Sequence, residues 1–189
     1  MKVALIGTQS TGKSSILRGL NEKYQPYIVK SLTRKMINEN PGLPCNKNGD
    51  EETQWKFFNL YYDLFDTRSE LISDRSMIDV LAYSKWLCRH GKESPTAFLR
   101  KMDILVGFTR RDPNTQYIYI PITFPIVGDG VREEDEDYRR ELDSYYRFIL
   151  TDLSHLEWFK CRKLESTTKE DRIKEVEEII CKQDSNIII

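Results

Sequence analysis

Gly7-Thr8-Gln9-Ser10-Thr11-Gly12-Lys13-Ser14 follows directly on an apolar run, Val3-Ala4-Leu5-Ile6, and its spacing is that of G-x-x-x-x-G-K-[ST], the phosphate-binding P-loop. The flanks match the context such a loop needs. Val3 to Ile6 is a continuous apolar run of the kind a fully buried parallel strand carries, and Ser15 to Asn21 places apolar residues at helical spacing. Glycines let the backbone curl around phosphate oxygens, the amides between Gln9 and Ser14 are expected to turn inward, and the following helix presents the positive end of its dipole. Gly7, Gln9, Ser10, Thr11, Gly12, Lys13, Ser14 and Ser15 are therefore the expected nucleotide-binding residues. Lys13 is expected to reach the β- and γ-phosphates of ATP, and the Ser14 hydroxyl to bind Mg²⁺.

At 189 residues the chain is within the range of one domain with one core, so a single domain spanning 1–189 is expected. Apolar residues make up 39% of it and the mean hydropathy is −0.57, a globular composition. No apolar run approaches the ~20 residues of a membrane-spanning helix. The run behind Lys2 is too short for a secretory h-region, so a cytoplasmic location is expected. Cys45, Cys88, Cys161 and Cys181 lack C-x-x-C spacing and read as reduced thiols, not as a zinc site or disulfide framework. With 29 basic and 30 acidic residues there is no overall electrostatic case for nucleic-acid binding. The acidic run Glu133 to Asp137 reads as the solvated first turn of a helix, whose dipole favours carboxylates.

Further along, Tyr27 to Val29 reads as a short strand and Thr33 to Asn40 as a helix ended by Pro41, Gly42 and Pro44. Residues 45–50 form a polar loop before a long amphipathic helix that starts near Glu51. Its apolar face, Trp55, Phe58, Leu60, Tyr61, Tyr62, Leu64 and Phe65, reads as core in preference to a base-stacking platform. Leu71 and Ile72 mark another strand, Asp79 to Cys88 and Thr96 to Phe108 two helices, and Tyr117 to Pro121 the clearest later strand. A helix from Asp137 to Leu153, a strand from Trp158 to Leu164 and a helix from Lys169 to Lys182 complete the pattern. This alternation predicts a three-layer α/β P-loop fold: a parallel sheet of about five strands, helices on both faces, and phosphate chemistry at the carboxyl ends of the strands.

A P-loop alone does not separate kinases from GTPases or motor ATPases. A GTPase calls for a base-reading N-K-x-D, which Asn46-Lys47-Asn48 does not supply. Asp74 and Arg75, just after an apolar strand, offer a carboxylate for the Mg²⁺ shell and a guanidinium for phosphate; they also read as a surface pair at a helix start with Ser76 as cap. In Phe124 to Arg132, FPIVGDGVR, Gly128 and Gly130 flank Asp129 and precede Arg132. This reads as a lid, over about 124–140, that brings an arginine onto the transferred phosphate, or else as a tight turn with an exposed arginine. Lys13, Asp74, Arg75 and Arg132 are thus the candidate catalytic residues, and Ser14 and Asp74 the candidate metal ligands.

Together GTQSTGKS, SDRSMIDVLAY (73–83), FPIVGDGVREEDEDYRREL (124–142) and RIKEVEEII (172–180) resemble a small AAA-type P-loop family. It includes the kinase domain that acts on ribosylnicotinamide and many single-domain phage proteins. The resemblance covers nearly the whole chain and implies a kinase fold related to thymidylate and deoxynucleoside kinases. It also implies Mg²⁺ and ATP as cofactors, a nucleoside or nucleotide-like small molecule as acceptor, and the host cytoplasm as location if the chain is phage-encoded. Asp74 and Arg75 are similar to the family's D-R or E-R pair, and Arg132 to its lid arginines. Phage members of the broader group include kinases of 5-hydroxymethyl pyrimidines within DNA; for that alternative Arg34, Lys35, Arg110, Arg111 and the Trp55–Phe58 region are candidate contacts. Deoxynucleoside kinases place a carboxylate base just after the second strand, where this chain has Lys30, Ser31, Thr33 and Arg34; either Asp74 serves as the base, or the loose transition state of phosphoryl transfer needs only a weak one. A regulatory NTP-binding switch is the third reading.

Overall fold

Alternation of side chains along β1 (Lys2–Ile6) divides the molecule into layers, because successive residues of a strand face opposite sides of the sheet. Ala4 and Ile6 join one buried cluster, and Val3 and Leu5 join another. The computed structural model describes residues 1–30, 32–126 and 135–185. Within them, β1 is flanked by β3 (Leu71–Ser73) and β4 (Thr115–Tyr119), with β2 (Ile28–Val29) outside β3 and β5 (Lys160–Lys163) outside β4. All four pairings are parallel, and the register sets Ile6 opposite Tyr119, Ala4 opposite Ser73 and Val29 opposite Ser73.

Parallel neighbours need crossover connections, and helices supply them on both faces. On the Ala4/Ile6 face pack α3 (Glu51–Thr67), α4 (Met77–Arg89), α5 (Pro95–Arg111) and α6 (Glu136–Ser154), through Phe58, Tyr61, Leu81, Leu105 and Tyr146. On the opposite face α1 (Lys13–Gly19) and α7 (Lys169–Ser185) cover Val3, Leu5 and Ile118 with Ile16, Leu17, Val176 and Ile180. The short α2 (Leu32–Glu39) leans Leu32, Met36 and Ile37 on the first cluster.

Most helix starts obey capping chemistry. Asp50, Ser94 and Asp135 accept backbone N–H groups at the starts of α3, α5 and α6, and Glu136 and Asp137 occupy the first turn of α6, as the acidic run suggests. Several boundaries differ from expectation: the expected Thr96–Phe108 helix runs Pro95–Arg111, and the Tyr117–Pro121 and Trp158–Leu164 strands run Thr115–Tyr119 and Lys160–Lys163. Glu22–Tyr27 is a 3₁₀ segment containing Pro26, so β2 keeps only two residues. A second 3₁₀ turn, Asn46–Asn48, lies within the expected loop. The helix expected from Asp79 begins at Met77, because Ser76 and Asp79 form a reciprocal capping box. Gly128, Asp129, Gly130 and Arg132 of the expected lid, and Ser31, lie outside the described residues. Among the described residues, no helix is long and apolar enough to cross a membrane.

Candidate active site

At the carboxyl end of the central strand the chain turns on Gly7, whose φ is +138°; a Cβ there would stand 2.6 Å from the Ile120 carbonyl oxygen. Glycine is required twice over, by backbone angle and by close approach. The loop ends at Gly12 (φ +91°), which precedes α1 without a side-chain cap, leaving the helix N-terminus for an anion. Lys13 is buried and folds over the loop, donating to the carbonyls of Gly7 and Thr8 and to Thr11 Oγ1.

Two buried arginines hold this loop from behind. Arg139, on α6, donates from Nε to the Gln9 carbonyl (3.1 Å), from Nη2 to that of Ser10 (3.0 Å) and from Nη1 to that of Phe124 (2.9 Å), with Glu136 as its ion-pair partner. Arg172, on α7, donates to the Thr11 carbonyl (2.9 Å), to Thr123 Oγ1 (2.6 Å) and to the Ser166 carbonyl (2.9 Å), and lies over the Phe124 ring. Burial lowers the Arg172 pKa. Three successive carbonyls, of Gln9, Ser10 and Thr11, are thereby drawn outward, and Ser10 takes a positive φ of 55°.

Beneath the loop lies Asp79, with 1% of its surface exposed. Its Oδ1 accepts from Tyr146 Oη (2.9 Å) and the Gly7 N–H (3.4 Å), and its Oδ2 from the Ser76 N–H (2.8 Å). Burial raises its pKa, opposed by the charges of Arg75 and Lys13. Arg75 stands 3.9 Å from Asp79 Oδ1 and over the Tyr83 ring. Ser14 Oγ and Asp74 Oδ2 are 3.4 Å apart, two hard oxygen ligands of the kind that suits Mg²⁺.

A cavity of about 590 Å³ opens from the loop toward β2, β3, α2 and α3. Gln9, Ser10, Thr11, Gly12, Lys13, Ser14, Ser15, Asp74 and Arg75 line it, so the structure gathers these sequence-derived residues in one place. Gly7 lies behind the lining, as the turn that supports it. The far wall consists of Lys30, Thr33, Arg34, Ile37, Cys45, Asn46, Gln54, Phe57 and Tyr61. Thr33 Oγ1 and Tyr61 Oη are 2.8 Å apart, tying α2 to α3, and Gln54 Oε1 is buried with no hydrogen-bond partner among the described residues. At the rim, Lys47 pairs with Asp135 (2.5 Å), joining the 46–48 turn to the start of α6.

Several expectations change. Asp74 and Arg75 do not form an exposed pair, since Asp74 is buried and Arg75 reaches Asp79, although Ser76 does cap α4. Of the α3 aromatics, Phe58 and Phe65 are core and Trp55 packs over the buried Lys101 ammonium; Phe57, absent from the expected face, lines the cavity with Tyr61. The Trp55–Phe58 region is thus no open nucleic-acid platform. Arg110 and Arg111 end the helix that leads into the amino end of β4, opposite the P-loop, where Arg111 pairs with Asp66 (2.6 Å) and Arg110 covers Trp158. Lys35 pairs with Glu39 on the surface, and of these cations only Arg34 reaches the cavity. His90 and His155 end α4 and α6 as C-caps. Sequence reasoning missed Asp79, Gln54, Arg139 and Arg172. Only Asp79 carried a local signal, the S-x-x-D spacing of a capping box.

A parallel sheet of order 2-3-1-4-5, with a G-x-x-x-x-G-K-S loop at the end of its central strand, defines a P-loop NTPase-like fold. The chain belongs to the AAA domain family, which matches residues 2–172. No curated protein matches it. Among solved structures it is similar to deoxyadenosine kinase from M. mycoides with products dCMP and dCDP bound (TM-score 0.67, 16% identity, 96% of this chain and 99% of that one). It is also similar to NadR protein in complex with NR (TM-score 0.65, 15% identity, 93% of this chain and 50% of that one). A third is thymidylate kinase from Candida albicans (TM-score 0.60, 17% identity, 96% and 91%). Identities this low carry the fold alone.

Proposed function

We propose that the chain is an ATP-dependent phosphotransferase acting on a nucleoside or nucleotide-like acceptor. The observation that supports this most is the walled compartment continuous with the P-loop, whose far side combines cations, a buried amide and aromatic rings. A switch that only hydrolyses its nucleotide has no use for such a second seat. In this reading the P-loop amides and Lys13 hold the triphosphate, with Lys13 leaving its carbonyl partners for the β- and γ-oxygens. Ser14 and Asp74 would hold Mg²⁺, which when bound neutralises phosphate charge. Arg75 orients the group in transfer, and Phe57 and Tyr61 pack on the flat part of the acceptor.

Labelled ATP incubated with a panel of nucleosides and nucleotides is expected to give ADP together with an acceptor-bound label. ADP and inorganic phosphate alone, across the panel, would overturn the proposal. Gln54 offers a finer test, because its buried carbonyl oxygen suits an N–H on the edge of a base. Gln54→Leu is expected to raise the acceptor KM about tenfold, or ~1.4 kcal/mol, and to leave the KM for ATP nearly unchanged. An equal rise in both would place Gln54 outside acceptor recognition.

A further inference from the structure

Resting on the kinase reading proposed above, we infer that Asp79 is a positioning residue for the transfer: its Oδ1 is the anchor that sets the Arg75 guanidinium against the phosphate loop, and Tyr146 holds that anchor in place. Asp79 begins as a helix cap. In a capping box the third side chain of the helix has to reach only the backbone N–H of the cap residue, and Oδ2 does so on Ser76 at 2.8 Å. One oxygen at a solvated helix start would be enough for that task. Asp79 is instead 1% exposed, and a buried carboxylate is costly unless charge and hydrogen bonds compensate it. The compensation converges on its second oxygen.

Three parts of the fold meet at Oδ1. The Gly7 N–H, at the turn out of β1, lies 3.4 Å away; Tyr146 Oη, on α6, donates at 2.9 Å; and Arg75 Nη1, in the link between β3 and α4, stands at 3.9 Å. The last contact is too long for a hydrogen bond and acts through charge, so it aims the guanidinium without engaging its N–H donors. The Tyr83 ring, one turn further along α4, lies 5.8 Å from the guanidinium carbon, and Arg75, Asp79 and Tyr83 all line the cavity. Tyr146 is itself fixed. Its ring stacks on that of Tyr119 of β4 (centroids 6.4 Å apart), whose hydroxyl donates to Asp143 at 2.6 Å. Burial and the neighbouring Asp79 charge raise the Tyr146 pKa well above its ordinary value, so the hydroxyl remains a donor.

This convergence fixes a distance that phosphoryl transfer depends on. The loop carries the donor phosphates and Arg75 the group in transfer, and a guanidinium displaced by about 1 Å from its working position can lose on the order of a hundredfold in rate. Gly7 and Arg75 take their relative position from one oxygen, which belongs neither to the loop nor to the strand that delivers Arg75. Removing the Asp79 charge releases the guanidinium from that oxygen. Asp79 thus acts through Arg75, and Tyr146 acts through Asp79.

Single-turnover transfer of the labelled γ-phosphate of ATP to the panel of nucleosides and nucleotides, measured on the full chain in double-mutant cycles, tests the assignment. Tyr146→Phe, which removes a single hydroxyl, is expected to lower the transfer rate about tenfold and Asp79→Asn about a hundredfold, with the half-saturating MgATP concentration within about threefold of wild type. In an Arg75→Ala background each substitution should cost less than about twofold, because the residue it acts through is gone. A merely structural role would lower the unfolding temperature without this dependence on Arg75. Should Asp79→Asn fail to fold, the cycle of Tyr146→Phe with Arg75→Ala decides by itself. Equal costs with Arg75 present and absent, no cost in either background, or a loss confined to MgATP affinity overturns the assignment and leaves the kinase reading standing. ADP with no phosphorylated product from any acceptor in the panel overturns the kinase reading, and the assignment with it.

Discussion

Lys13→Ala is expected to lower kcat/KM for phosphoryl transfer by about 10³-fold or more, some 4 kcal/mol of transition-state stabilisation, while the unliganded protein unfolds within a few degrees of the wild type. The asymmetry follows from its environment. Without nucleotide the Lys13 ammonium bonds to carbonyls of its own loop and to Thr11, whereas phosphate oxygens bring charge that Lys13, the one lysine of the loop, is placed to meet. A readout that needs no acceptor is thermal stabilisation by MgATP. At 100 times its Kd a ligand contributes about 2.7 kcal/mol. For a chain of this length that raises Tm by about 5–11 °C. Lys13→Ala at the same ATP concentration should lose most of this rise. A variant with wild-type transfer and an undiminished MgATP shift would remove Lys13 from the site.

Arg139→Met should produce the largest effect on stability. Methionine keeps much of the apolar stem but none of the donors, so the carbonyls of Gln9, Ser10 and Phe124 lose their guanidinium partner inside the protein. Removing one member of such a buried charged network costs about 3–5 kcal/mol. The expected fall in Tm is roughly 6–20 °C. MgATP affinity should weaken about tenfold as well, because the outward pull on Gln9 and Ser10 keeps their amides turned toward the phosphates. Arg139→Lys should rescue little, since one point charge cannot span three carbonyls. The neighbouring Arg140, an exposed partner of Glu136 at 3.6 Å, is the control: Arg140→Met should stay within about 0.5 kcal/mol of wild type. If both substitutions prove equally mild, Arg139 does not hold the loop.

Chain separation explains why some of these residues were legible in the sequence and others were not. The P-loop motif is eight successive residues, Gly7 to Ser14, so it can be read from their order and spacing. Asp74 could be read because it follows directly on an apolar strand, and parallel strands deliver their carboxyl ends to one edge. Arg139 acts on residues 129 and 130 positions away, and Arg172 on one 161 away. Within a helix rich in charge, helical spacing alone cannot tell the buried Arg139 from the exposed Arg140. Gln54 resembles any polar residue in the first turn of an amphipathic helix until the cavity closes around it.

By itself the sequence determined the alternation of strands and helices, the phosphate loop, the Ser76 cap and the absence of a base-reading N-K-x-D, because each is a local pattern of backbone preference and side-chain chemistry. Only the tertiary structure decided the order 2-3-1-4-5 of the sheet, which α3 rings line the cavity, and that Asp79, Arg139 and Arg172 enclose the loop from below and behind. Burial makes the difference. A charge that would be solvated in an isolated helix must find partners once packing removes water from it, and those partners are set by the assembled layers and not by neighbours along the chain.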